Sequence, residues 1–309
     1  MAKRKVLLTG ASGRLGKRLT PLLIEGGYTV RALVHRNPAP DGAEAVRAGM
    51  TDTAALTAAM EGVDAVCHLA AVMPPAPDDE IFESNIRATY CLLRAACAQP
   101  RKPRFVFASS DATYCTGWSK GPYAAPIDEA IHQQPALFYG ISKTAGERLC
   151  IDYQAAFGID TVRLRYPTIV EPREALDLFL VAGYKDFLVD EDLGNWDRED
   201  TVKIVFEESG KPMVEHVVDS RDAALGTFLA IDRESAAGQA FNIAGPAPWT
   251  YSQIGPMVAA RIGKDTAPGR CRRLYSYELS TQRARSMLGY SPRYGILDSL
   301  EEAYSQIKV

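Results

Sequence analysis

Few of the usual devices for stapling or anchoring a chain occur in this sequence. Six cysteines (Cys67, Cys91, Cys97, Cys115, Cys150 and Cys271) are scattered without a C-x-x-C pair, so no disulfide framework is expected and the thiols read as free. Four histidines (His35, His68, His132 and His216) lack the spacing of metal ligands, which argues against a structural metal. The basic start, Met1-Ala2-Lys3-Arg4-Lys5, leads into an apolar run that stops at Thr9-Gly10, too short for a signal-peptide core or a membrane span. That predicts a cytoplasmic chain. A surplus of positive charge is also missing: 35 Lys and Arg against 38 Asp and Glu leave a net charge of -3, and the basic residues are dispersed. Neither nucleic acid nor a membrane surface is therefore an expected partner; a small molecule is. Internal repeats and low-complexity tracts are absent. With 47% hydrophobic and 24% charged residues over 309 positions, the chain is long enough for one large domain or two modest ones.

What is present is concentrated near the N-terminus. The run Lys5-Val6-Leu7-Leu8-Thr9 is a short apolar strand, and Gly10, Gly13 and Gly16 follow it at Gly-x-x-Gly-x-x-Gly spacing. Leu15, Leu19, Leu22 and Leu23 then recur at helical intervals. A strand that turns sharply into a helix through glycines lets backbone N–H groups approach two phosphates, and the positive end of the helix faces the anion. Gly10, Ser12, Gly13, Arg14, Leu15 and Gly16 are the residues expected to line such a dinucleotide loop.

Downstream, short apolar or β-branched runs alternate with longer amphipathic ones, the mark of an α/β fold: a doubly wound parallel sheet of the Rossmann type. Strands are expected at 6–9, 29–34, 65–69, 105–109 and 161–166, with a further short one at 45–49. Helices are expected at 14–25, 53–60, 81–98 and 139–157. After Tyr166 the rhythm breaks at Pro167 and Pro172, followed by a helical 174–182 and an acidic loop at 189–200. Pieces of sheet at 213–218 and 240–243, with helices near 220–231, 251–262 and 297–307, predict a smaller C-terminal lobe. The division is a dinucleotide-binding domain at 1–166 and a substrate-binding lobe at 167–309, with segments near 213–243 returning to the sheet.

In an open sheet of this kind the ligand lies beyond the carboxyl ends of the strands. After the second strand stand His35 and Arg36, where an acidic residue for a ribose diol would favour NAD. Arg36, with Arg14 in the glycine loop, tips the expectation slightly towards NADP, although both arginines also read as solvated surface residues. Gly49 and Met50 are candidates for an adenine slot. Leu69, Ala70 and Ala71 follow the fourth strand, where small residues let a cofactor pass close to the backbone. His68 reads as a packed structural residue.

Tyr139 and Lys143 lie four apart on a predicted helix and share a face. A phenol with a pKa of about 10 is a poor base at neutral pH. One positive charge roughly 4 Å away contributes about 4 kcal/mol at an effective dielectric of 20, about three pKa units. Lys143 is the expected source. Ser109 and Ser110 emerge at the carboxyl end of the strand at 105–109, in the same lobe.

The segments TGASGRLG, HLAA, FASSDATY, YGISK, HVVDSRDAA and AFNIAG occur in the order seen in the extended short-chain dehydrogenases/reductases, and the chain resembles that family over almost its whole length. The resemblance implies that Tyr139 is the general acid/base, that Lys143 lowers its pKa and holds the nicotinamide ribose, and that Ser110 hydrogen-bonds the substrate oxygen. It also implies that Ser109 lies against the cofactor, that Asn85 supports the active-site backbone, that Pro167, Thr168 and Ile169 cover the carboxamide, and that a homodimer forms through 81–98 and 139–157. Two departures bear on substrate. Thr168 stands where sugar-nucleotide epimerases of the family carry Asn, and Lys211-Pro212-Met213-Val214-Glu215 precedes His216 without their Arg. A diphosphate deprived of that cation loses a contact worth roughly 1.5 to 3 kcal/mol, which favours a smaller substrate.

The leading expectation is an NAD(P)-dependent oxidoreductase acting on a small alcohol or carbonyl, such as a sugar or sugar acid. An epimerase or dehydratase that recycles its cofactor stays open, as does a non-catalytic nucleotide sensor. Asp111 matches an acid of similar dehydratases, but Ala112 occupies the place of its Glu partner, so a second acid would have to come from elsewhere. Cys115 reads either as a second acid/base or as inert filling. Trp196 and Arg198 in the acidic loop read as a lid and a substrate cation, or as a solvated loop with one tucked ring. Tyr166, Arg173 and Tyr184 are further pocket candidates.

Overall fold

A computed structural model of the chain describes residues 4–35, 37–114, 116, 126–180, 185–196, 198 and 200–306. The first half runs β1 (Lys5–Thr9), α1 (Arg14–Glu25), β2 (Thr29–Val34), β3 (Glu44–Arg47), α2 (Thr53–Ala59), β4 (Ala65–His68), α3 (Asp78–Ile81), α4 (Ala88–Cys97), β5 (Arg104–Ser110), α5 (Phe138–Phe157) and β6 (Thr161–Tyr166). Then follow β7 (Ile169–Val170), α6 (Asp177–Leu180), α7 (Leu193–Trp196), β8 (Thr201–Glu207), β9 (Val214–Glu215), β10 (Val218–Asp219), α8 (Ser220–Asp232), β11 (Ala240–Asn242), β12 (Trp249–Thr250), α9 (Tyr251–Ile262), β13 (Asp265–Cys271), α10 (Gln282–Leu288) and α11 (Ile296–Tyr304).

Seven strands form one parallel sheet in the order β11-β6-β5-β4-β1-β2-β3, the expected doubly wound architecture. Successive side chains of a strand point to opposite faces, and both faces of this sheet are covered. Val6 and Leu8 of β1 join Leu19, Leu23, Val106, Ala223 and Phe241 in the core beneath α1 and α8. Leu7, between them, joins Val66, Leu92, Phe105 and Ile159 beneath α2, α4 and α5. A separate apolar core fills the C-terminal lobe, built from Phe179, Trp196, Val202, Trp249 and Leu300 among others.

Differences from the expected elements are local. The helix expected at 81–98 starts earlier and is interrupted by a π-helical turn, Phe82–Arg87, between α3 and α4. Of the helix expected at 174–182, only Asp177–Leu180 is α-helical among the described residues, and Glu174 ends a 3-10 turn, Pro172–Glu174. The acidic loop is not irregular throughout, since it contains α7. Of the later sheet pieces, β11 joins the central sheet through β6, whereas β9 and β10 pair with β12 and β7. The parallel pair β8 and β13 had no counterpart in the expected elements, because β13 reads Asp-Thr-Ala-Pro-Gly-Arg-Cys and carries neither alternation nor β-branched enrichment.

Candidate active site

The end of β1 and the end of β4 meet where a ligand is expected. Gly10 has φ +69°, and a Cβ there would lie 2.8 Å from the Ala70 nitrogen. A Cβ on Gly16 would lie 2.4 Å from the Gly10 carbonyl oxygen, so the helix can start this close to the turn only without a side chain. Gly13 is the N-cap of α1 and no side chain caps it. A Cβ on Gly13 would meet only the Gly10 carbonyl oxygen, at 3.3 Å, among the described residues within 4 Å. The approach to the start of α1 over Gly13 is thus open, and this cradle fits a dinucleotide pyrophosphate.

Around this cradle the expected cofactor residues take definite places. Ser12 is half-buried and Leu15 is buried, while Arg14 is exposed and paired with Glu174 at 2.5 Å. His35 is exposed at the end of β2, and its carbonyl accepts from Arg47 at 3.1 Å. Arg36 lies outside the described residues. Gly49 accepts from the Asp52 amide in a turn after β3, and Met50 packs against the core on that face. Leu69, Ala70 and Ala71 are half-buried along the crossing. Pro167 is buried and Thr168 exposed, and Ile169 pairs with Val218. Ser109 is a different case: its hydroxyl donates to Glu147 at 2.5 Å, on the side of the sheet facing α5, and that carboxylate also holds Arg165 in a buried pair at 2.7 Å.

His68 is structural, as expected. Its ring bridges Thr9 at 2.8 Å and Thr89 at 3.1 Å, and burial pushes its pKa down to about 3. Asn85 lies in the π-helical turn, takes both backbone groups of Val72 at 2.8 and 2.9 Å, and donates to Ser142 at 3.1 Å. Ser142 in turn donates to the Tyr139 carbonyl at 2.7 Å. This chain ties the crossing after β4 to the first turn of α5.

The catalytic candidates come together where β5 ends. Ser110 is buried and donates to Asp111 at 3.0 Å. Lys143 lies beside the phenol ring, with its ammonium bonded to the neighbouring strand. Its ammonium donates to the Ala108 carbonyl at 2.7 Å and lies 5.7 Å from the Tyr139 ring centroid. Burial, then the Asp111 carboxylate, push Tyr139 up to about 12, while Ser110 pulls the other way. Burial also pushes Lys143 down to about 8, against the pull of Glu147.

Asp111 is buried and accepts from Thr116 at 2.8 Å and from Ser110 at 3.0 Å, yet burial still pushes its pKa up to about 6. Tyr277 donates to Glu215 at 3.0 Å. Glu215 is buried, and burial together with Asp111 pushes it up to about 7. Neither Tyr277 nor Glu215 was singled out for a role in the sequence. Tyr277 sits in a stretch without periodicity after β13. Glu215 interrupts the apolar segment before His216, and a lone acid in such a segment was the available signal.

Two expected substrate residues lie elsewhere. Trp196 is no lid: it is 1% exposed, packed in the C-terminal core against Gly269 and Leu188. A large apolar ring is drawn under the acidic loop because that loop folds over β8 and β13, leaving its charges outside. Arg198 is exposed and paired with Asp200 and Asp265, away from the catalytic candidates. Tyr166 is core, with its hydroxyl 2.6 Å from Thr227, and Arg173 is exposed. Cys115 and Tyr184 lie outside the described residues. The five described cysteines are free, no group of His, Cys, Asp and Glu among the described residues suits a metal, and none of the described helices is long and apolar enough to cross a membrane.

A model of the NAD dependent epimerase/dehydratase family matches residues 6–244. The chain belongs to that family. This epimerase/dehydratase family member is an enzyme of the short-chain dehydrogenase/reductase type, as the motifs implied. It is similar to L-arabinose 1-dehydrogenase (NAD(P)(+)) of Haloferax volcanii, 33% identical over 189 residues, 56% of this chain and 71% of that protein. It is also similar to uronate dehydrogenase of Pseudomonas syringae pv. tomato, 34% identical over 164 residues, 52% of this chain and 58% of that one. Among solved structures, a short-chain dehydrogenase/reductase superfamily protein from Agrobacterium tumefaciens with bound NAD superposes with a TM-score of 0.86 at 31% identity, covering 98% of this chain and 96% of that one. UDP-glucuronic acid 4-epimerase from Bacillus cereus, in complex with NAD, superposes at 0.77 and 24% identity over 97% of each chain, which speaks for the fold alone.

Proposed function

We propose that this family member is an NAD(P)-dependent dehydrogenase of a small sugar or sugar acid, with Ser110, Tyr139 and Lys143 as its catalytic set. The observation that carries this reading is the lining beside Ser110: Asp111 and, through Tyr277, Glu215. Buried acceptors of this kind suit the hydroxyls of a small polyol and oppose the charges of a nucleotide diphosphate. The segment ahead of His216 brings Glu215 there and no arginine. The similarity to L-arabinose 1-dehydrogenase and to uronate dehydrogenase supports the same class.

In this reading the nicotinamide, when bound, takes up or returns hydride. Ser110 orients the substrate oxygen, Tyr139 exchanges its proton, and Lys143 keeps positive charge behind the phenol while pinned to Ala108. Asn85 holds the crossing and the start of α5 in register. For the cofactor we propose NADP over NAD, on Arg14, Arg36 and the exposed His35 beyond β2; Arg14 would have to leave Glu174 to meet a 2'-phosphate. A homodimer through α4 and α5 is supported by exposed apolar residues there, Tyr90, Ile151 and Phe157 among them, and sedimentation would return twice the chain mass. Free thiols suit a cytoplasmic location.

A panel of sugars, sugar acids and aldehydes incubated with each cofactor tests the reading. Net reduction of NADP or NAD by at least one small sugar or sugar acid is expected. Conversion of a sugar or nucleotide sugar to its epimer or dehydrated product, with no net change in nicotinamide absorbance, would overturn it and favour the internally recycling alternative.

A further inference from the structure

Arg14 and Arg18 stand one turn apart on α1, and each is paired with a glutamate of the segment that follows β7. The two pairs differ in kind. Arg18 is held twice by Glu171, through Nε at 3.3 Å and more closely through a terminal nitrogen, and Glu171 also accepts from the Ser220 hydroxyl at 2.8 Å. Val170 and Asp219 are partners in the parallel ladder of β7 and β10, so the next residue of each strand, Glu171 and Ser220, is delivered to the same place. With side chains 35% and 18% exposed, this pair is an anchor. Arg14 and Glu174 are joined at 2.5 Å, but their side chains are 60% and 43% exposed, so this pair can open.

Position makes the looser pair matter. Arg14 is the first residue of α1, directly after Gly13 of the cradle, and the approach over Gly13 is open. A guanidinium on a flexible stem at that place reaches phosphate bound at the helix end, and a phosphate takes its parallel N–H groups as a carboxylate does. Glu174 therefore offers Arg14 the same chemistry that a dinucleotide offers. The backbone of Glu174 is fixed, because it lies between buried Pro172 and Ala175, which belongs to the C-terminal core. A change of partner by Arg14 is thus a movement of side chains alone.

We propose that Glu174 is an internal competitor for Arg14 and so limits how tightly this chain holds a dinucleotide phosphate. The inference rests on the cofactor reading above, which gives Arg14 a 2'-phosphate, and it adds the residue that opposes that contact. An exposed ion pair is weak, so the competition changes affinity by a small factor, about two- to fivefold. Glu171 exerts no such competition: the guanidinium it holds is one turn further along α1 and is tied to the start of α8 through the same carboxylate. Two glutamates three residues apart thus have different roles, one fixing α1 against the C-terminal lobe and one contesting the cofactor.

The test is calorimetric titration of the full chain with NADPH and with NADH, in wild type, Glu174→Gln, Arg14→Gln, the variant carrying both changes, and Glu171→Gln. Glu174→Gln should tighten NADPH about two- to fivefold and leave NADH unchanged. On the Arg14→Gln background the same change should do nothing. Equal tightening of NADPH and NADH would put Arg14 on the pyrophosphate: the competition then stands and the 2'-phosphate reading falls. Three results overturn the proposal. They are unchanged affinity for both dinucleotides in Glu174→Gln, tightening that survives without Arg14, and equal tightening by Glu171→Gln, which would mark a general effect of removing negative charge. A wild type that binds neither dinucleotide would overturn the cofactor reading itself, and the proposal with it, before any variant is compared.

Discussion

The Lys143 ammonium donates to the Ala108 carbonyl at 2.7 Å, two residues before Ser110. It is thus anchored to β5 rather than to the phenol four residues earlier on its own helix. Holding that charge in a buried place costs stability. The ammonium is pushed down from 10.5 to about 8 on folding, a penalty on the order of 3 kcal/mol while the group is charged. Because the unfolded chain then binds the proton more readily than the folded one between pH 8 and 10.5, stability rises with pH across that window. Urea unfolding at a series of pH values should show this rise in wild type and not in Lys143→Met. Parallel curves for the two proteins would refute the assignment.

Replacing Tyr139 with Phe keeps the ring and removes the exchangeable proton. Turnover should fall by about a hundred- to ten-thousand-fold, as expected for loss of a general acid/base, with dinucleotide affinity within a few-fold of wild type. Isothermal titration beside a rate assay separates the two. A variant that retains most of its activity would remove Tyr139 from the chemistry.

The Glu147 carboxylate is almost completely buried and is shared by Arg165 and Ser109. Arg165 also donates to the Tyr114 hydroxyl, which continues to Asn242. Removing one partner leaves a buried charge uncompensated, so Arg165→Met should cost about 3–5 kcal/mol. Replacing both Arg165 and Glu147 by apolar residues should cost clearly less than the sum of the single changes. Denaturant unfolding of the double-mutant cycle measures it.

Trp196 offers a separate check on placement. As a core residue of the C-terminal lobe, its truncation to Ala should cost about 3–5 kcal/mol, while the folded fraction keeps its KM. A change in KM without loss of stability would restore it to the substrate site.

Much of the fold was legible because its signals are local. The glycine turn needs glycine at Gly10 and Gly16 for reasons of φ and close approach, and apolar periodicity distinguishes α1 from β1 within a few residues. The same holds for Tyr139 and Lys143, whose shared helix face follows from their spacing. Where Lys143 would find its partner was not legible, because the Ala108 carbonyl lies on a strand distant in sequence. Trp196 illustrates the opposite error. An aromatic in an acidic loop looks exposed until the loop is seen to fold over β8 and β13, and that pair was itself hidden by the Pro and Gly in β13.

By itself the sequence determined the parallel sheet, the dinucleotide cradle and the catalytic candidates at the end of β5 and the start of α5, since strand and helix periods and turn chemistry act over a few residues. Only the tertiary structure decided which polar groups are buried together. Asp111 and Glu215 are 104 positions apart in the numbering, and Tyr277 bonds Glu215 from a third segment. Burial and contact between distant segments set their protonation, and neither leaves a mark on spacing along the chain.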